Sequence, residues 1–277
     1  MEVVFITGAS RGYGRALALA FAQSAAGPTT LVLMARGLEG LQATRAAVAA
    51  AAPSATVVLA PGDLADLPAL PALWAAALAQ LPAAWSRGLL LHNAGSAGRV
   101  GPLRAQPTDA AGVAALRATL DLDVLSPYLL STLFLQAVAA RVAGGGAGSG
   151  SALVNVSSLA AVSPFATLAP YSVTRAARDM LARVAGAEEA GGSGVTTLNY
   201  APGPMDSELQ REIRSAPACD AGIAGFFSDM AAKGAWVDMG ASAGLCAKLV
   251  RTRAYESGAH LDYYDLVKAE EEAAKVR

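Results

Sequence analysis

Residues 1–24 constrain the fold more than any other stretch of this chain. An apolar run over 3–6 reads as a buried strand. Thr7-Gly8-x-x-x-Gly12-x-Gly14 follows it directly, and an Ala- and Leu-rich run from Arg15 onward reads as a helix. Strand, glycine turn and helix in that order make a cradle for a phosphate. Gly8 permits a sharp bend, Gly12 lets backbone approach a pyrophosphate, and Gly14 lets the helix lie close on the strand. The free N–H groups at the helix start then face the anion. Glycine-rich turns are common, so the rest of the chain must agree.

The order of elements does agree. Short strands, apolar throughout, are predicted over 2–7, 30–35, 56–60, 88–92, 152–157, 195–200 and 259–262, as befits parallel strands covered on both faces. Helices are predicted over 12–24, 38–51, 66–80, 109–141 (as two helices), 170–189 and a set across 205–253. Alternating strands and helices imply right-handed crossovers and a doubly wound parallel α/β sheet of Rossmann type, with about seven strands and helices on both faces. With 277 residues, 54% apolar and 16% charged, there is core enough for one large domain. It is placed at 1–265, followed by a charged tail over 266–277. Residues 144–151 read as a flexible connection and 205–234 as a lid over the substrate.

Composition also excludes. A net charge of −1 gives no electrostatic case for nucleic acid or an anionic membrane. The uncharged stretch 124–140 is interrupted by Ser126, Pro127, Ser131, Thr132 and Gln136, and reads as a core or interface helix rather than a membrane span. No basic and apolar leader precedes the first strand. Cys219 and Cys246 lie far apart with only His92 and His260 to accompany them. No metal site is expected, and the cysteines read as reduced residues of a cytoplasmic protein.

In a doubly wound sheet ligands lie beyond the carboxyl ends of the strands. The second strand ends in Ala35-Arg36, where an acid would bind the adenosine ribose of NAD and an arginine would pair with the 2′-phosphate of NADP. Arg11, inside the glycine turn, offers a second cation, so NADP(H) is the expected cofactor. Asp63-Leu64 ends the third strand, where Asp63 would meet the adenine amino group or else cap a helix. Asn93-Ala94-Gly95 ends the fourth, where small residues let backbone lie beside the cofactor.

The fifth strand ends in Asn155-Val156-Ser157-Ser158, and Tyr171 and Arg175 follow one helical turn apart. A phenol ordinarily ionises near pH 10, so it needs a fixed cation to exchange protons at neutral pH. With the glycine turn and Asn93-Ala94-Gly95, this pattern resembles the short-chain dehydrogenase/reductase family over essentially the whole chain. The resemblance implies Ser158 and Tyr171 as the groups that hold and protonate a carbonyl, with Arg175 and Asp123 completing the catalytic set. It departs from the family at two of these positions, which expects Lys at 175 and Asn at 123. An Arg175–Asp123 ion pair would let the two changes compensate. The implied cofactor contacts are Gly8, Ser10, Arg11, Gly12, Tyr13, Gly14, Arg36, Asp63, Leu64, Asn93, Ala94, Gly95, Tyr171, Arg175, Pro202, Gly203 and Met205.

Four segments are similar to the reductases of pterin side-chain ketones within that family: Gly8 to Arg15, Ala176 to Leu181, Leu198 to Pro204, and Ser257-Gly-Ala-His-Leu-Asp-Tyr-Tyr-Asp265. This resemblance implies an NADPH-dependent carbonyl reductase of tetrahydrobiopterin synthesis. Its substrate contacts would be Ser158, Tyr171, Gly203 and Asp262, with Asp262 pairing to the amino and N–H edge of the pterin. A helix cap is the competing role for Asp262. Reduction of another ketone or quinone, or cofactor binding without catalysis, are the alternative functions. Family resemblance further implies a homodimer formed through the two long helices, about 112–141 and 170–189.

Overall fold

The computed structural model describes residues 1–82, 85–144 and 150–275. Most of the predicted connection 144–151 and the last two residues of the charged tail lie outside them. Seven parallel strands form one sheet: β1 (Glu2–Thr7), β2 (Thr29–Ala35), β3 (Thr56–Pro61), β4 (Arg87–His92), β5 (Ala152–Val156), β6 (Thr196–Ala201) and β7 (Ala259–Asp262). Their spatial order is β3-β2-β1-β4-β5-β6-β7, so the order reverses beside β1 and the crevice opens between β1 and β4. The helices are α1 (Gly12–Gln23), α2 (Leu38–Ala51), α3 (Leu70–Ala79), α4 (Ala110–Leu120), α5 (Ser126–Ala143), α6 (Ala169–Glu189), α7 (Glu208–Ser215), α8 (Ala221–Lys233), α9 (Met239–Thr252) and α10 (Tyr263–Lys275).

Alternation along the buried strands feeds two cores. Val4 and Ile6 join Leu17, Leu41 and Cys246 under α1, α2 and α9. Val3 and Phe5 point the other way, to Trp74, Leu130 and Phe134 under α3 and α5. Phe5 stacks on Trp74 with ring centroids 4.5 Å apart. Both faces of the sheet are covered, and this is why the central strands carry no polar alternation.

The 109–141 region departs from the expected pair of helices. It is one continuous run in which a wider π turn, Asp121–Leu125, joins α4 to α5. Pro127 opens α5 and has no N–H to give the preceding turn, so the helix widens there. The extra residue rotates Asp123 into the interior. By length and composition, the run Ala110–Ala143 is apolar enough to cross a membrane. Its Leu130, Phe134 and Val138 are built into the second core. The charged tail is α10, which begins directly after β7 and packs Leu266 against the first core.

Candidate active site

The glycine turn has the shape that its residues dictate. Gly8 and Gly12 adopt φ of +67° and +53°, which an L side chain rarely does. A Cβ on Gly14 would stand 2.2 Å from the Gly8 carbonyl, so only glycine lets α1 rest on the turn. A Cβ on Gly12 would meet nothing within 4 Å, leaving an open face of backbone toward the crevice. Asn93 ties the turn to β4 by donating from Nδ2 to the carbonyls of Thr7 (3.0 Å) and Gly8 (3.3 Å). Thr7 Oγ1 accepts from the N–H groups of Asn93 and Ala94 at 3.0 and 3.1 Å. Arg15 on α1 and Thr44 on α2 brace the turn: Arg15 donates to the Ser10 carbonyl (2.9 Å), and Thr44 Oγ1 to that of Ala9 (2.8 Å). These residues fit a bound dinucleotide: an open cradle, free N–H groups and a rigid frame beneath them.

Three expected cofactor residues make side-chain contacts of their own within the chain. Tyr13 turns its side chain into the first core, where its hydroxyl meets Ser242 at 3.3 Å, so only its backbone faces the cradle. Arg11 reaches across the crevice to Glu208 at the start of α7, 2.6 Å away. Asp63 accepts from the Ala65 N–H at 3.0 Å, closing its own turn, with Leu64 buried beside it. Arg36 stands exposed at the end of β2. Gly203 takes φ +80° after β6, with Val237 and Tyr263 against it, and Met205 is buried in the first core.

Tyr171 and Arg175 share a face of α6, with the Arg175 guanidinium carbon 4.7 Å from the centre of the Tyr171 ring. Arg175 Nη1 lies 3.4 Å from Asp123 Oδ1, and the two side chains are 5% and 0% exposed. Here is the ion pair that the two family departures suggest. Ser96 clamps the carboxylate from the other side, donating its N–H to both oxygens at 3.1 Å and its hydroxyl at 2.6 Å. Burial opposes the Arg175 charge, but Tyr171 and Asp123 outweigh it and hold the guanidinium above its ordinary range. Gly95 makes room, for a Cβ there would sit 2.3 Å from Arg175 Nη2.

Ser158 follows β5 and caps a short 3-10 turn, Leu159–Ala161, by accepting from the Ala160 N–H at 3.2 Å. That turn packs on α6, and the serine hydroxyl hydrogen stays free to donate to a ligand. Tyr171 borders an apolar cluster in which Leu209, Ile213, Cys219 and Ile223, from the segment expected to form a lid, meet Val100 and Phe165. Elsewhere in that segment Phe227 and Met230 pack inward, while Phe226 is exposed. Asp262 ends β7 beside Ala201, next to Pro202 and Gly203. Its Oδ1 accepts from the Tyr264 N–H at 2.8 Å, so it does cap α10.

Sequence reading missed the polar groups beneath this face. Arg178, fully buried, donates Nε to Asn155 Oδ1 (2.7 Å), Nη1 to the Ala94 carbonyl (2.9 Å) and Nη2 to the His92 carbonyl. Burial and the nearby Arg175 push its guanidinium down to about 9. Asp179 beside it is equally interior. The available signal was spacing: 171, 175, 178 and 179 fall on one helical face.

A family model described as short chain dehydrogenase matches residues 2–218. The chain belongs to that family of oxidoreductases, and its seven-stranded parallel sheet agrees with it. Within it, the chain is 35% identical over 264 residues to sepiapterin reductase of Meriones unguiculatus, spanning 95% of this chain and 96% of that one. It is 28% identical over 222 residues to a benzil reductase ((S)-benzoin forming) of Bacillus subtilis, covering 79% and 81%. Among solved structures the KRED1-Pglu enzyme aligns with a TM-score of 0.78 at 21% identity, over 94% of this chain and all of that one.

Proposed function

We propose that this chain is an NADPH-dependent carbonyl reductase acting on the side-chain ketones of a pterin. The observation that carries the reading is Asp262 at the end of β7, beside Gly203 and on the same carboxyl edge of the sheet as Ser158 and Tyr171. Only Oδ1 of this carboxylate is engaged among the described residues, which leaves Oδ2 for the amino and N–H edge of a pterin. Likeness to sepiapterin reductase over 95% of the chain supports the same substrate class, and with it a place in tetrahydrobiopterin synthesis. Arg36 at the end of β2, where no acid stands, supports NADPH over NADH. Exposed apolar residues on α4, α5 and α6, among them Leu116, Tyr128, Val173 and Met180, support a homodimer through those helices. Two free cysteines fit a cytoplasmic setting.

With its pyrophosphate in the glycine cradle, the dinucleotide would supply hydride from its nicotinamide to the carbonyl carbon. The Ser158 hydroxyl donates to the carbonyl oxygen and fixes its position. Tyr171 gives its phenolic proton to the same oxygen as negative charge develops there. Arg175 stays protonated throughout, because guanidinium does not release its proton in this setting. It acts as a fixed charge, held by Asp123 and Ser96, that orients the Tyr171 ring. Protons therefore reach Tyr171 by a route that does not pass through residue 175. The lid residues around Tyr171 keep water from the reacting face.

Asp262→Ala tests the pterin reading. Loss of the acceptor in a dry pocket should cost about 2–4 kcal/mol, or about 30- to 1000-fold in kcat/KM for sepiapterin. A small diketone lacks that edge and should be reduced nearly as before. Equal losses on both would make Asp262 a cap of α10 alone. That outcome would favour a second reading, an aryl ketone or diketone reductase, for which the apolar cluster at Tyr171 and the likeness to benzil reductase speak.

A further inference from the structure

Beneath the catalytic face, one residue, Asp179, joins four elements. Asp179 lies on α6 two turns after Tyr171. Its Oδ1 accepts from Asn155 Nδ2 at 2.8 Å and from Ser157 Oγ at 2.5 Å, both at the end of β5. Its Oδ2 lies 2.6 Å from Nδ1 of His260 on β7. Asn199 on β6 completes the group, accepting from Asn155 at 2.9 Å and donating to the Asp179 carbonyl at 3.3 Å. Arg178 extends it to the end of β4 through the carbonyls of His92 and Ala94. All of these side chains are buried except His260, which is 19% exposed.

We infer that Asp179 is a positioning residue for carbonyl reduction, an inference that rests on the reductase reading above. Ser157 is bonded to Asp179, and the next residue is Ser158, which would hold the substrate oxygen. Tyr171, which would protonate that oxygen, is carried by the helix of Asp179. The carboxylate thus sets the register between the two groups that must meet one oxygen atom. It also fixes β7, and with it Asp262, to the same helix through His260. Every group facing the Asp179 oxygens can donate: an amide N–H, a hydroxyl and an imidazole N–H. Only an acceptor with several lone pairs satisfies all three, and a carboxylate is the one side chain that does so without presenting a donor of its own. Among the described residues Tyr171 and Arg175 have no comparable tie to β5, since the Arg175 bond goes to Asp123 on the π turn.

The test uses the full-length enzyme with NADPH and a small diketone, a substrate that does not call on Asp262. Asp179→Asn can still fold, since its amide nitrogen can face His260, whose ring can accept in the other tautomer. We expect its kcat per bound NADPH to fall tenfold or more, with the NADPH Kd within twofold of wild type. The deuterium isotope effect on kcat, measured with NADPH labelled at the transferred hydrogen, should rise as the misaligned step becomes limiting. Ser157→Ala should shift both quantities in the same direction. His260→Asn, whose amide N–H takes the place of Nδ1–H, should keep more of the wild-type kcat than His260→Leu. A purely structural Asp179 would lower the yield of active protein and the Tm while leaving kcat per bound cofactor and the isotope effect unchanged, and that result overturns the inference. Wild-type protein that reduces no carbonyl with either nicotinamide cofactor would instead overturn the reductase reading, and this inference with it.

Discussion

Arg175→Lys and Asp123→Asn, made singly and together, restore the residues the family expects and test whether the buried pair acts as a unit. At 3.4 Å and an effective dielectric near 20, the gross attraction between the two charges is about 5 kcal/mol. Desolvation takes back much of this, because both side chains are almost wholly buried. Asp123→Asn alone leaves the Arg175 charge opposite a neutral amide and should destabilise the fold by about 3 kcal/mol. For a chain of this size that corresponds to a Tm lower by about 6–12 °C. Arg175→Lys alone keeps a cation near Asp123 but loses the planar head, and should cost less, about 1 kcal/mol. The double variant still sets a cation opposite an amide, but a buried lysine can shed its proton where a guanidinium cannot, so it should recover at least half of the summed loss, a coupling of about 2–3 kcal/mol. Turnover of a diketone should follow the same order, lowest in Asp123→Asn and regained in the double variant. Thermal melts and steady-state kinetics on the four proteins measure both. Losses that simply add, in stability and in kcat, would show that Arg175 and Asp123 do not compensate each other.

Arg36→Asp should reverse a preference for NADPH that is at least about tenfold in the parent. A charge-assisted phosphate contact contributes roughly 1.5–3 kcal/mol, and titration with both cofactors reads it; equal affinities in the parent would refute the assignment. Tyr171→Phe should abolish turnover and leave NADPH binding nearly unchanged, and a residual kcat above a few per cent would exclude Tyr171 as the proton donor. His92 is buried in β4, where burial and then Arg178 hold its imidazole well below the usual range. The folded state therefore keeps it neutral while the unfolded chain takes up a proton below about pH 6.5, so stability falls as the pH drops. Between pH 6.5 and 5 the parent should lose about 1.5 kcal/mol more than His92→Asn in urea denaturation. Parallel losses would refute it.

The sheet was legible because its strands are buried on both sides and so read as plain apolar runs, and every predicted strand matches an observed one to within about a residue at each end. The ion pair between Arg175 and Asp123 was legible too, since two departures from one pattern at sites that face each other suggest compensation. The π turn that brings Asp123 inward was not, because one additional residue in a helix leaves hydrophobic periodicity almost unaltered. Arg11 illustrates a different limit. Its place in the glycine turn was evident, but its partner Glu208 is 197 positions away, and nothing local announces a surface ion pair across the crevice. Nothing in the local sequence marks Arg178 and Asp179 as buried. Their burial depends on β4, β5 and β7 arriving from elsewhere in the chain.

That burial explains why the charged residues beneath the site occur as they do. Arg175 and Arg178 face Asp123 and Asp179 within one water-poor layer under the carboxyl edge of the sheet. Each charge taken from water carries a desolvation cost, and a lone buried charge would cost several kcal/mol. Two cations with two carboxylates leave the layer near neutrality, and each polar head is met by further donors or acceptors from backbone or side chains. Such a layer adds little net stability, but it need not reorganise when charge moves at Tyr171. It also limits how the site can vary, for a change at 175 that keeps its charge calls for a partner at 123 of fitting sign and size. In this chain Arg175, larger and never deprotonated, is matched by a carboxylate where the family expects a neutral amide. The layer stays balanced, and under the proposed mechanism protons reach Tyr171 through groups other than residue 175.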